Sequence, residues 1–111
     1  MKPIAIFTTT GSLEEARRIA RELVERRLAA CAQISEIESF YRWQGAVQNE
    51  KEFRILIKTT AAQYAAVESA VRELHSYELP AIYSMPFEEA YGPYAKWIAD
   101  ESAGVQSTSA T

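Results

Sequence analysis

The chain holds one histidine, His75, and one cysteine, Cys31. Imidazole suits copper and zinc, and a thiolate suits soft ions such as Cu(I). One of each cannot complete a tetrahedral site within a single chain. His75 also stands at the end of an apolar-periodic segment, where an imidazole can cap a helix C-terminus. Cys31 lies between Ala30 and Ala32, where a free cysteine behaves as a small buried hydrophobe. Glu50, Glu52, Glu88 and Glu89 offer hard oxygen donors, although such carboxylates usually sit solvated at the surface. Glu52 shares a strand-type run and its parity with Lys58, so the two belong on one face. They read as a buried ion pair or as one wall of an anion-binding cleft. The large aromatics Tyr41, Trp43, Tyr77, Tyr83 and Trp97 pack a core or an interface. With Lys58 and His75 as polar anchors, they could instead line a concave site for a small ligand. Nothing pairs a nucleophile with a base, and no phosphate loop or metalloprotease spacing occurs. The chain therefore reads as a non-enzyme.

The elements that must position these residues centre on residues 30–60. Two long β-type runs flank the turn signal Gln44-Gly45. In the second run Phe53, Ile55 and Ile57 alternate with Glu52, Arg54 and Lys58. In the first, Ala32 and Ile34 share one parity, while Ile37, Tyr41 and Trp43 share the other. One extra residue near Ser35–Glu36, a bulge or bend, would absorb that slip. Each arm can run to about twelve residues, against a mean strand of about five or six. A domain of 111 residues cannot cover so long a ribbon. Its far end, with Phe40, Tyr41 and Trp43, calls for other copies of the chain, because exposed edges otherwise pair without control.

Around the hairpin, residues 3–9 form an apolar strand. Ser12 and Glu15 have capping-box spacing. Ala16, Ile19, Ala20, Leu23 and Val24 then make one helical stripe ending near Arg27–Leu28. The opposite face, Arg17 to Arg26, is a solvated charge face. Thr60 and Gln63 repeat the capping-box spacing before Tyr64, Val67, Val71 and Leu74. A short strand spans residues 81–85, and Gly92-Pro93 opens a last helix with Tyr94, Trp97 and Ile98. The domain is expected over residues 1–101, with residues 102–111 a flexible polar tail. The order β-α-β-β-α-β with right-handed crossovers is a ferredoxin-like α+β fold, both helices on one sheet face. The helix-free face again asks for self-association.

Net charge −3 and a sequence pI near 5.2 disfavour nucleic acid as a partner. One cysteine suits a reducing, cytoplasmic setting. No apolar run approaches the roughly twenty residues of a membrane span.

The segments LVERRLAACAQI, FYRWQGAVQNEKEFRILIKTT and LHSYELPAIYSMPFEEAYGPYAKWI together resemble the CutA1 family of divalent-cation tolerance proteins. The resemblance covers about residues 3–101. It implies a ferredoxin-like homotrimer whose long hairpins pair between subunits, needing no metal to fold. It also implies a link to tolerance of copper and other divalent ions. On that footing His75 matches a position proposed to ligate copper, with Cys31 and Glu52 as further candidate ligands. Phe40, Tyr41, Trp43 and Trp97 become trimer-interface residues. Lys58, Tyr77, Trp43 and Tyr83 become the lining of an intersubunit cleft. Some members carry a second histidine where this chain has Leu74, and a first-strand cysteine where it has Thr8. The expected function is a homotrimeric copper and divalent-cation response protein with weak metal sites at subunit junctions. The alternative is a PII-like trimer sensing anionic metabolites, or a scaffold.

Overall fold

A computed structural model describes residues 2–104. Its elements run β1 (Pro3–Thr10), α1 (Leu13–Glu25), β2 (Cys31–Trp43), β3 (Ala46–Thr60), a short 3-10 turn (Ala61–Gln63), α2 (Tyr64–Leu74), β4 (Ile82–Pro86) and α3 (Gly92–Glu101). The sheet order is β2-β3-β1-β4, with every neighbouring pair antiparallel. This is the ferredoxin-like arrangement expected.

The core lies between the sheet and the two long helices. Ile4 and Ile6 of β1 and Ile55 and Ile57 of β3 meet Ala16, Ile19 and Leu23 of α1 and Val67 and Val71 of α2. These are the stripes that period 2 and period 3.6 demand. Thr8 joins them on the core face, fully buried, and its Oγ1 has no hydrogen-bond partner. A buried hydroxyl without a partner costs about 1–3 kcal/mol. Thr8→Val should therefore stabilise the fold by about 1 kcal/mol in denaturant unfolding. A loss of stability would show that the hydroxyl is satisfied.

Three local expectations need correction. Ser12 does cap α1, its Oγ accepting from Glu15 N at 3.1 Å. The Glu15 carboxylate, however, does not reach back; it accepts from Ser76, 61 residues away. Thr60 makes no side-chain cap, and Gln63 donates instead to the Ser102 carbonyl. Packing also continues past residue 101. Ser102 is buried, and Gly104 N donates to the Arg27 carbonyl. The remainder of the expected tail, residues 105–111, lies outside the described residues.

The hairpin contains no bulge. β2 and β3 pair without interruption from Cys31↔Lys58 to Trp43↔Ala46. Gln44 and Gly45 both take positive φ, 51° and 81°, as a two-residue turn matched to strand twist requires. The slip in parity has a different cause. The proximal half of β2 turns Ala32 and Ile34 toward the helices. The distal half has no helix beside it, and Ile37, Tyr41 and Trp43 stand on the opposite face. One unbroken ladder thus carries its apolar residues on different faces along its length. β1 pairs with β3 only over residues 53–60, so residues 46–52 project beyond it. That overhang is roughly 20 Å at about 3.4 Å per residue. It stretches the molecule to 51 × 32 × 20 Å and its radius of gyration to 15.0 Å, against about 13 Å for a globule of this length. Phe40 and Val47, about two-thirds exposed, add apolar surface on the overhang's other face.

Candidate functional site

The segment after α2 crosses the end of β1 and meets the overhanging hairpin. His75 anchors it. Its ring is fully buried, 3.6 Å from the Glu15 carboxylate. Nε2 lies 2.7 Å from the Thr9 carbonyl, and Nδ1 lies 3.0 Å from the Tyr77 backbone N. A carbonyl can only accept and an amide N–H can only donate. The ring therefore carries its proton on Nε2, and both nitrogens are occupied. Its backbone N caps α2 through Val71 O, but the ring itself turns to β1 rather than to the last helical carbonyls.

Tyr77 extends from this anchor toward β3. Its Oη donates to Glu52 Oε2 at 2.8 Å. Gly11 leaves the room it needs, since a Cβ there would lie 3.0 Å from Tyr77 Oη. Burial comes first in pushing the Tyr77 phenol well above the ordinary 10.0, then its bond to Glu52, then the charges of Glu52 and Glu50. The unfolded chain ionises this phenol above about pH 10 while the folded chain keeps its proton, so stability falls as pH rises through that range. Tyr77→Phe should make the alkaline loss shallower in unfolding experiments from pH 9 upward. Identical slopes would mean the phenol does not hold its proton. Tyr41 and Tyr64, also raised by neighbouring glutamates and burial, leave a residual slope.

Two adjoining cavities of about 510 and 570 Å³ share Tyr41, Trp43, Tyr77 and Leu79 in their walls. Glu50 lines the first and Glu52 the second. Glu50 accepts from Tyr41 Oη at 2.7 Å.

Of the residues named from sequence, Tyr77 and Trp43 come together here with Glu52; Lys58 and Tyr83 do not. Lys58 shares the face of Glu52 but sits six residues along, roughly 20 Å away, so the expected ion pair is not formed. Its Nζ instead donates to Tyr94 Oη at 3.0 Å and lies 5.3 Å from that ring's centroid. Tyr94 in turn stacks on Trp97. Tyr83 stacks on Phe7, 5.2 Å between centroids. Cys31 is a free, half-buried thiol paired across the ladder with Lys58, six residues along β3 from Glu52. Among the described residues no three His, Cys, Asp or Glu side chains gather in a metal-holding group. The roles of Glu15 and Tyr94 were not legible from sequence: each acts through a partner distant in the chain.

The whole of this architecture has relatives. The family model "CutA1 divalent ion tolerance protein" matches residues 4–101. The chain belongs to the CutA1 family. It is 41% identical over 93 residues to the divalent-cation tolerance protein CutA of Archaeoglobus fulgidus, covering 84% of this chain and 91% of that one. It is 34% identical over 105 residues to human protein CutA, covering 94% of this chain and 59% of that one. Among solved structures, a CutA of Archaeoglobus fulgidus described as periplasmic superposes with a TM-score of 0.88 at 38% identity, covering 90% of this chain and 98% of that one. The CutA1 of Thermus thermophilus gives 0.87 at 38% identity over 90% of this chain and 98% of that one. Both superpositions take in nine-tenths of this chain.

Proposed function

We propose that this CutA1 protein acts as a homotrimeric divalent-cation response protein that binds metal weakly where subunits meet. The observation that carries the reading is the overhang: a long ribbon with apolar residues on both faces, covered by its own chain only where the segment after α2 meets it. Three copies that cover one another's ribbons would bury Phe40, Tyr41 and Trp43 and gather carboxylates that a single chain keeps apart. Glu50 and Glu52 lie on that ribbon, and Glu88 and Glu89 follow β4. Oxygen donors of this kind bind divalent ions, with Cu(II) the tightest of the common first-row ions at any given site. His75 is poorly suited to be a ligand, since both ring nitrogens already serve the fold. The single free thiol of Cys31 supports a reducing, cytoplasmic setting. Within one chain Lys58 stands far from the aromatic cleft, so the anionic-metabolite alternative would need Lys58 from a neighbouring copy.

Light scattering tests the assembly, with a mass of three chains expected. Calorimetry with Cu(II) and Zn(II) tests the metal: heat that survives His75→Gln and falls in the Glu50→Gln, Glu52→Gln pair is expected. A monomeric mass, or no heat from either ion, would remove this reading.

A further inference from the structure

Between α2 and β4 the chain runs from Ser76 to Ala81 without helix or strand. Among the described residues this segment makes no backbone–backbone hydrogen bond. Leu79, near its middle, is largely exposed, so packing adds little. The ties that hold the segment run to side chains. Ser76 N and Ser76 Oγ donate to the Glu15 carboxylate at 2.7 and 2.9 Å. Tyr77 N donates to His75 Nδ1 at 3.0 Å, and Tyr77 Oη donates to Glu52. Glu15 is buried, and among the described residues no Lys or Arg nitrogen comes within 4.0 Å of it. Its basic neighbour is the His75 ring, with Nδ1 at 3.6 Å from Oε2. While Nδ1 accepts from the Tyr77 amide the ring is neutral, and that pair lacks the attraction of opposite charges.

We infer that Ser76–Ala81 is a proton-released strap, in which His75 Nδ1 exchanges the Tyr77 amide for the Glu15 carboxylate when it takes up a proton. A protonated Nδ1 is a donor and can no longer accept from an amide. Glu15 Oε2 stands beside it as the acceptor, where an imidazolium gains an opposite charge away from water. The bond from Nε2 to the Thr9 carbonyl is kept, so the ring stays seated on β1 while the amide beyond it is let go. The other groups around the ring offer no competing charge. β1 presents only the Thr9 carbonyl, and the Val71 carbonyl of α2 takes the His75 backbone N. Arg18 of α1 donates to the adjoining Leu74 carbonyl. The Tyr77 ring lies 4.8 Å from the imidazole, and its phenol leads away to Glu52 of β3. The closed strap uses Nδ1 as an acceptor and excludes the proton, whereas the released one takes it. Acid therefore shifts the population toward release. Since this segment is where the chain meets its own overhang, proton uptake uncovers that side of the ribbon. The device lies within one chain and rests on neither the metal nor the assembly reading.

The chain has a single histidine, so its ring signals are unambiguous. NMR on EDTA-treated full-length protein, at one concentration and from about pH 8 to about pH 5, follows the His75 ring nitrogens and the exchange protection of the Tyr77 amide. At the upper end the ring should carry its proton on Nε2. On acidification Tyr77 protection should fall by about tenfold or more along the ring's own titration curve, while Ile6 and Ile57 in the core keep theirs. Glu15→Gln still offers an oxygen to Ser76 N and an amide to Ser76 Oγ. It should weaken proton uptake by the ring by about tenfold or more. Should that variant fail to fold, the wild-type comparison decides alone. A ring that titrates with Tyr77 protection unchanged, a ring that stays neutral until the fold is lost, or protection lost out of step with the ring would each overturn the inference. So would an unchanged ring titration in folded Glu15→Gln.

Discussion

His75→Ala should cost the fold about 3–5 kcal/mol, the largest effect expected of any polar substitution in this chain. The ring is fully shielded from water, and it bridges the Thr9 carbonyl and the Tyr77 amide. Removing it leaves two polar groups unsatisfied, at about 1–3 kcal/mol each. It also opens a void beneath the loop, a further cost that depends on how far the site collapses. Because the loop delivers Tyr77 to Glu52, the damage should spread to the cleft. Chemical denaturation at one fixed protein concentration measures this, since assembly couples stability to concentration. A loss below about 1 kcal/mol would mean that water replaces the ring without strain. Among variants at this position that remain folded, copper heat per mole should match the wild type. Its disappearance would identify the imidazole as a ligand after all.

Trp43→Ala should weaken self-association by about 2 kcal/mol or more, roughly thirtyfold. Trp43 ends β2 beside the turn, far from any helix of its own chain, yet it is among the largest apolar groups in the molecule. A large ring on an overhang gains little in the isolated chain and much when a second surface covers it. Light scattering across a dilution series should show the variant dissociating at concentrations where the wild type holds its mass. Folding of the separated chains should be little changed, because Trp43 takes no part in the core. If the mass never changes, the ring lies at the rim of the contact or outside it.

Much of the fold was legible because its signals are local. The alternation of Phe53, Ile55 and Ile57 and the stripe from Ala16 to Leu23 each report one face of one element. The supposed bulge shows where such reading stops. Periodicity tells which residues of β2 are apolar, but not whether the same body covers both halves of the strand. The parity change was real: the proximal half of an unbroken ladder faces the helices, and the distal half projects past them. The capping boxes failed for a related reason. Spacing made a reach-back by Glu15 available, but two donors from Ser76 offered its carboxylate more than one local amide could.

The candidate site divided along the same line. Residue order alone determined the βαββαβ path, the length of the ribbon, the faces of its strands, and the parity that Glu52 shares with Lys58. Tertiary contact decided that Lys58 goes to Tyr94, that His75 is consumed by the backbone of β1 and its own loop, and that Glu52 is left buried with a phenol and no counter-charge. The division is physical: strand and helix periods depend on near neighbours, whereas a polar side chain takes whichever partner the assembled fold brings within about 3 Å.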